Sequence, residues 1–225
     1  MIRLIAFRWV PPFAQGLVRD LRVRWALEEA GLPYEVQLIG PEDQKSDGYR
    51  KLQPFGQVPV LHDGDLCLFE SGSIVLHIAE KSSALMPEDP AGRAQARTWV
   101  FASINSIEQY IQNLTQIDLF NADKAWAIER RPAVLELLRD RLQKLNTRMS
   151  GRQYLENETF TVGDLMMTTV LGILRHVDLL EKEFPQLEAY RLRCENRPAF
   201  KKALADQMKV FAENAPPPSL SARAS

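Results

Sequence analysis

The chain has 225 residues, of which 45% are hydrophobic and 25% are charged, and its formal net charge is −1. These values are ordinary for a soluble globular protein and allow one or two domains. A net charge this close to zero gives no indication of binding to nucleic acid or to an anionic membrane surface. No apolar run approaches the ~18 residues that a membrane-spanning helix needs.

The few cysteines and histidines indicate the cellular compartment to expect and whether a metal site is expected. Two cysteines, Cys67 and Cys194, form no disulfide framework, so we expect a reducing, cytoplasmic location. The three histidines, His62, His77 and His176, show no metal-ligand spacing with each other or with cysteine. We therefore expect no metal site.

The first segment of the chain predicts a strand, a loop and a helix. Residues Ile2–Phe7 suit a buried strand, and the prolines and glycine of residues 8–16 predict a loop. A helix is expected over Leu17–Ala30, ended by Gly31. Its apolar residues lie on two opposite sides, separated by charged edges, so we expect it to pack between a sheet and a second domain.

The next segment predicts a second strand and a hairpin. Tyr34–Ile39 is the strand, and residues 40–49 are expected to be irregular, with a short helix near Tyr49–Leu52. Pro59 cannot donate to a sheet ladder, so it marks a turn before a short strand at residues 60–61. Asp63–Gly64 supplies the hairpin turn, residues 66–69 form its second strand, and a helix follows with Ser71 as its N-cap. This β-α-β, then β-β-α order predicts a thioredoxin-like fold.

The remainder of the chain shows helical patterns after a proline-rich boundary at Met86–Pro90. Thr161 and Asp164 have capping-box spacing, and Pro198 suits a first helical position. Helices are expected over residues 92–120, 132–149, 161–180, 186–194 and 198–213. The Pro/Ser/Ala-rich residues 214–225 are expected to be a disordered tail.

Two motifs flank the predicted hairpin and carry a family resemblance. Leu52–Pro59 ends in Gln-Val-Pro, and Glu70–Ile74 begins with Glu-Ser. With the capping box at Thr161, they resemble the cytosolic glutathione transferases over about residues 1–213. The resemblance implies an α/β thioredoxin-like glutathione-binding domain over residues 1–84, followed by an all-α helical bundle domain over residues 91–213.

The resemblance also implies a position for glutathione, as co-substrate, along the backbone of Val58. Gln57 would contact the peptide near its glycine end, and Pro59 would set the turn. Glu70 would face the α-amino group, and Ser71 would face the γ-glutamyl carboxylate from the start of a helix. The alternative for Glu70 and Ser71 is a simple helix cap.

Catalysis in this family requires the glutathione sulfur as a thiolate, which the family usually stabilises with Tyr or Ser, or replaces with a Cys, near the first loop. This chain departs from that pattern, because residues 8–21 contain no Tyr, Ser, Thr or Cys. The side chains of Gln15 and, second, Arg19 are the candidate donors. Arg8, the Trp9 indole and backbone N–H groups remain alternatives, as does a structural role for Gln15 and Arg19.

The electrophile is expected between the first loop and two of the later helices. The candidate acceptor-site residues are Trp9, Phe13, Trp99, Ser103, Ser106 and Tyr110. Core packing explains the aromatic residues equally well.

Two functions remain open on the sequence. The first is a cytoplasmic, homodimeric glutathione transferase that conjugates glutathione to an electrophilic small molecule, or a variant acting in peroxide reduction, isomerisation or dehalogenation. The second is a non-catalytic protein-interaction module on the same scaffold, as in elongation factor 1 gamma. The missing Tyr, Ser or Cys favours the second function, and the ligand-facing Glu70 favours the first.

Overall fold

A computed structural model describes residues 1–156 and 159–214. The chain packs as two compact units, residues 1–82 together with the chain from Arg197 onward, and residues 83–196. The sequence predicts one helical domain over residues 91–213. The structure differs, because the last helix of that range belongs to the first unit. Apart from Asn214, the predicted tail over 214–225 lies outside the described residues.

The first unit contains a mixed sheet in the order β2-β1-β3-β4. Its strands are β1 (Ile2–Phe7), β2 (Tyr34–Ile39), β3 (Val60–Asp63) and β4 (Leu66–Phe69). β1 pairs parallel with β2 and antiparallel with β3, and β3 and β4 form the hairpin. Gly64 has a φ of 62°, which suits the tight turn between them. The predicted thioredoxin-like strand order is therefore confirmed.

Before residue 83, the first unit also contains four α-helices and a short 3₁₀ helix at Pro12–Ala14. The α-helices are α1 (Asp20–Ala30), α2 (Pro41–Lys45), α3 (Asp47–Leu52) and α4 (Ser71–Ala79). The prediction of an irregular segment over residues 40–49 is wrong. Local caps explain α2 and α3: Asp43 accepts from the Gly40 N–H at 2.8 Å, and the Ser46 hydroxyl accepts from the Tyr49 N–H at 3.1 Å.

The described part of the second unit is helical apart from its loops. Its helices are α5 (Pro90–Ala102), α6 (Gln109–Thr115), α7 (Ala125–Arg148), α8 (Val162–Leu171), α9 (Leu179–Glu183) and α10 (Pro185–Glu195). The predicted helix over residues 92–120 contains two π-helical stretches, Ser103–Glu108 and Gln116–Phe120. The predicted helix over 161–180 is wrong in its second half, since a tighter 3₁₀ turn at Gly172–His176 follows α8.

The capping box at the start of α8 is confirmed. The Asp164 carboxylate accepts from the Thr161 N–H, the Leu155 N–H and the Tyr190 hydroxyl, each at 2.9 Å. Burial raises the pKa of the Asp164 carboxyl, and the two backbone N–H donors act against that rise. The box therefore ties the preceding loop and α10 to the start of α8.

The last helix, α11 (Pro198–Glu213), packs against α1 within the first unit. The rings of Trp25 and Phe200 meet edge-on at 4.8 Å, and Gln207 donates to the buried Asp20 carboxylate at 2.8 Å. The helix that covers the outer side of α1 is therefore α11, which the sequence assigned to the predicted helical domain and which the structure places in the first unit. This packing explains why residues from Asp20 to Leu27 are buried.

Candidate functional site

The two sequence motifs meet at one end of the β3–β4 hairpin. Val60 and Phe69 are paired across the two strands, so the residues just outside that pair, Pro59 and Glu70, are neighbours. The Val58–Pro59 peptide bond is cis. The hairpin therefore brings the Gln57–Pro59 segment and the Glu70–Ser71 segment together, as the motifs predicted.

The segment before Pro59 is held by side chains of the preceding helix and loop. The Tyr49 hydroxyl donates to the Gln57 carbonyl at 2.6 Å, and the Gln57 N–H donates to Gln53 Oε1 at 3.2 Å. Burial raises the pKa of Tyr49 to about 12, so this hydroxyl remains a donor at neutral pH. Val58 is buried in a core cluster with Ile5. The backbone of residues 57–58 is therefore fixed, while the Gln57 side chain is exposed.

Glu70 is an exposed residue in a left-handed backbone conformation, with a φ of 70°. A non-glycine residue with positive φ costs of order 1–3 kcal/mol and is found preferentially at functional sites. Here it joins β4 to α4 without a loop. The carboxylate therefore stands at the surface beside the N-terminus of α4.

Ser71 is buried at the first position of α4, where its hydroxyl accepts from Arg22 Nη1 at 3.2 Å. The prediction that Ser71 is the N-cap is wrong, because Glu70 occupies that position and the Ser71 hydroxyl is directed to α1. Arg22 is itself buried, although the helical pattern puts it on a charged edge between the two apolar faces of α1. Its position between two apolar faces was the signal that could have identified it.

The first loop places the candidate thiol donors before α1. Gln15 is half-buried and its amide donates to the Val10 carbonyl at 3.1 Å, within the loop itself. Arg19 is the residue before α1, which begins three residues later than the predicted Leu17. Gly16, just before the predicted start, has a φ of 76°, a left-handed conformation that glycine adopts readily. Trp9 is half-buried in this loop and Phe13 is exposed.

The remaining acceptor-site candidates lie in the second unit; they are Trp99, Ser103, Ser106 and Tyr110. The Trp99 indole donates to Glu156 at 2.6 Å, and the Ser103 hydroxyl donates to the Trp99 carbonyl at 2.7 Å. The Arg141 guanidinium lies 4.7 Å from the Tyr110 ring centre and donates to its hydroxyl at 2.8 Å. Ser103 is buried, whereas Ser106 is exposed. Of the two serine candidates, only the Ser106 hydroxyl is therefore accessible from the surface of the second unit.

Neither a metal-binding cluster nor a membrane-spanning helix is found in the described part of the chain. It contains no cluster of His, Cys, Asp or Glu suited to a metal ion. Within the same residues, no helix combines the length and apolarity that crossing a membrane requires. Neither cysteine is in a disulfide, and burial raises the pKa of Cys67, which disfavours its thiolate.

Comparison with known proteins identifies the family. The model of the glutathione S-transferase N-terminal domain matches residues 15–80, and that of the C-terminal domain matches residues 120–198. Together the two models match well over half of the chain. The chain belongs to the glutathione S-transferase family. The hairpin end described above lies within the N-terminal match.

Two relatives with the same sequence identity to this chain have names that indicate different functions. A glutathione S-transferase of Hyoscyamus muticus is 29% identical over 199 residues, which cover 82% of this chain and 92% of the relative. Elongation factor 1-gamma of Prunus avium is 29% identical over 181 residues, which cover 77% of this chain and 41% of that protein. Family membership is therefore compatible with more than one function.

Solved structures of the family share the fold. A glutathione transferase family member from Pseudomonas fluorescens, crystallised with two glutathione molecules bound, has a TM-score of 0.78 at 22% identity. The alignment covers 90% of this chain and 92% of that structure.

Proposed function

We propose that the protein is a glutathione transferase that adds the glutathione thiolate to an electrophilic small molecule. The observation that carries the proposal is the hairpin end, where Val58, Glu70 and Ser71 converge beside the N-terminus of α4. In the reaction with a halogenated aromatic electrophile, the thiol proton passes to solvent, the thiolate forms a carbon–sulfur bond, and the carbon–halogen bond breaks so that halide leaves. The name of the Hyoscyamus muticus relative and the glutathione bound in the Pseudomonas fluorescens structure support this function.

The proposed binding mode uses each group at the hairpin end. The backbone of Val58 pairs with the cysteine moiety of glutathione as an added strand would. The exposed Glu70 carboxylate accepts from the α-amino group. Ser71 and the N-terminus of α4 receive the γ-glutamyl carboxylate, since the hydroxyl already accepts from Arg22 and is free to donate outward. Gln57 faces the glycine end.

Thiol activation is assigned to Gln15 and Arg19. A hydrogen bond to a charged group is worth roughly 1.5–3 kcal/mol, which lowers a thiol pKa of about 8.5 by one to two units. Either side chain, or the backbone N–H groups at the start of α1, can supply such a donor. Within the first unit, the electrophile would contact Trp9 and Phe13 of the first loop.

The test combines conjugation kinetics with a direct thiol titration. The rate with 1-chloro-2,4-dinitrobenzene and the ultraviolet absorbance of the bound thiolate are measured against pH for the wild type, Gln15→Leu and Arg19→Leu. We expect one variant to raise the thiol pKa by about one unit or more. A wild type that binds glutathione without lowering its thiol pKa, and has no conjugation activity, would refute the transferase proposal.

A second function, a protein-interaction module, is favoured by the absence of Tyr, Ser, Thr and Cys from residues 8–21. One relative in the comparison is an elongation factor 1-gamma. This function predicts no glutathione binding, whereas peroxide reduction, isomerisation or dehalogenation predicts binding with a different second substrate. The glutathione titration therefore separates the module from every enzymatic alternative.

We also propose that the protein is a cytoplasmic homodimer. Phe55 leaves 71% of its surface exposed, and burial of such a ring against a second copy would be favourable. Light scattering on the wild type and on Phe55→Asp tests the dimer, which the charge is expected to dissociate. A monomeric wild type would refute it.

A further inference from the structure

The start of α1 carries the candidate thiol donor Arg19 but has no side-chain cap. Arg19 is the N-cap residue of α1, with a φ of −63° and a ψ of −14°, and its side chain makes no capping hydrogen bond. The first backbone N–H groups of a helix have no partners within the helix, so an uncapped helix start is held weakly by its own residues. Another element therefore has to hold this backbone if Arg19 is to keep one position.

Gln207 of α11 supplies that support. Its side-chain amide donates to Asp20 Oδ1 at 2.8 Å and, as a longer second bond, to the Val18 carbonyl at 3.4 Å. Val18 and Asp20 are the residues immediately before and after Arg19. The same Val18 carbonyl accepts from the Leu21 N–H at 2.9 Å, which closes the turn that leads into α1. One amide of α11 thus bridges the N-cap position of α1.

The acceptor Asp20 is held from two directions in a buried environment. Gln207 is 0% exposed and Asp20 is 1% exposed, and hydrogen bonds to a carboxylate are stronger when water is excluded. The second carboxylate oxygen of Asp20 accepts from Arg24 Nε at 2.8 Å. Because Arg24 belongs to α1 itself, its bond cannot tie the start of the helix to another element. The bond from Gln207 does so.

The third polar atom of Gln207 indicates that packing alone does not explain this residue. Its Oε1 is buried and has no hydrogen-bond partner among the described residues. A buried carbonyl oxygen without a donor is unfavourable, and an apolar side chain of similar length would fill the space without it. The two donated bonds are therefore what Gln207 contributes and an apolar residue could not.

We propose that Gln207 is a positioning residue for thiol activation. By holding the backbone on both sides of Arg19, it keeps the Arg19 guanidinium directed at the glutathione sulfur, and it does not touch the ligand itself. The inference rests on the proposed transferase function and assigns the thiol donor to Arg19 rather than to Gln15. It also gives α11 a part in the activation of the thiol.

The test measures the pKa of the bound glutathione thiol in the wild type and in Gln207→Met, which keeps the length of the side chain and removes both donors. The ultraviolet absorbance of the thiolate is followed against pH. We expect the variant to raise the thiol pKa by about half a unit to one unit, which reduces the thiolate fraction about three- to tenfold below the pKa. The kcat with 1-chloro-2,4-dinitrobenzene should fall by the same factor at about pH 6 and approach the wild-type value above about pH 9.

Two further measurements separate positioning from a loss of binding or of folding. Calorimetry at about pH 6, where most of the bound thiol is protonated, should give the same glutathione affinity for both proteins within about twofold. Phe200→Leu is the matched control, since it loosens the packing of α11 on Trp25 and leaves the donors of Gln207 in place. It should lower the melting temperature without changing the thiol pKa. If Gln207→Met does not fold, Gln207→Asn replaces it, because its amide is one methylene group too short to reach either acceptor.

A second background identifies the group through which Gln207 acts. In Arg19→Leu, the addition of Gln207→Met should raise the thiol pKa no further, since the positioned group is already absent. The inference is overturned by an unchanged thiol pKa in Gln207→Met, by an equal shift in Phe200→Leu, or by the full shift in the Arg19→Leu background. A wild type that does not lower the thiol pKa refutes the transferase proposal and this inference together. A thiol pKa that depends on Gln15 and not on Arg19 refutes this inference alone.

Discussion

Ser71 illustrates how one buried hydroxyl can serve both the fold and a ligand. Its oxygen accepts from Arg22, so its single proton is directed elsewhere. The hydroxyl lies at the N-terminus of α4, where backbone N–H groups favour an anion by about 0.3–1 kcal/mol. The residue therefore links α1 to the proposed carboxylate site.

We predict that Ser71→Ala weakens glutathione binding about tenfold and lowers the free energy of unfolding by about 1 kcal/mol, because Arg22 loses an acceptor. Ser73→Ala is the matched control, since Ser73 is exposed in the same first turn. Calorimetry and urea unfolding measure the two effects. Equal affinities for Ser71→Ala and Ser73→Ala would contradict the assignment of Ser71 to the ligand.

At the scale of elements, the hairpin is tied to α4 by Asp63. His77 Nε2 lies 2.8 Å from the Asp63 carboxylate, and Lys81 donates to the same oxygen. The hydrogen bond from Lys81, followed by that from His77, lowers the pKa of the Asp63 carboxyl. Its stabilising contribution is therefore present above the unfolded pKa of about 3.9 and is lost as the pH falls through the lower folded value.

We predict that Asp63→Asn lowers the free energy of unfolding by on the order of 1 kcal/mol at pH 7. The difference from the wild type should shrink below about pH 4, as the wild-type carboxyl becomes protonated. Asp65→Asn, at an exposed position of the same hairpin, controls for the change in net charge. A difference that stays constant from pH 7 to pH 3 in urea unfolding would exclude this linkage.

The elements that the sequence predicted well are those bounded by strong local signals. The strands are apolar runs between turns, and Pro59 and Gly64 mark the hairpin. α2 was missed and α3 was predicted only over its second half, because both are short and polar, and their side-chain caps become evident only in three dimensions. The hairpin end was predicted from two motifs. The position of Arg22 between two apolar faces indicates burial, but Arg22 was missed as a partner of Ser71 because a helical pattern does not show which element covers an edge.

At the scale of the whole molecule, α11, which is the last helix described, packs against α1. α11 covers α1 through the Trp25–Phe200 contact and an ion pair in which Arg197 donates to Glu29 at 2.6 and 2.8 Å. The two apolar faces of α1 predicted two neighbours, but helical periodicity alone could not identify the second as a helix more than 160 residues away. Only the folded chain shows that pairing.

We predict that truncation after Asn196 destabilises the first unit, because it exposes Trp25 and leaves Asp20 without the Gln207 donor. Truncation after Asn214 retains α11 and is the matched control. Urea unfolding followed by tryptophan fluorescence and amide exchange measures the effect. Equal protection of the β1 amides in both truncations would contradict the role of α11.

The most direct measurement of the central claim is a calorimetric titration of glutathione into the wild type, Glu70→Gln and Asp65→Asn. The account predicts binding to the wild type, unchanged binding to Asp65→Asn, and a loss of about tenfold or more in Glu70→Gln. That loss corresponds to a charge-assisted hydrogen bond worth roughly 1.5–3 kcal/mol. Absence of binding to the wild type, or equal losses in both variants, would contradict the claim that the hairpin end binds glutathione.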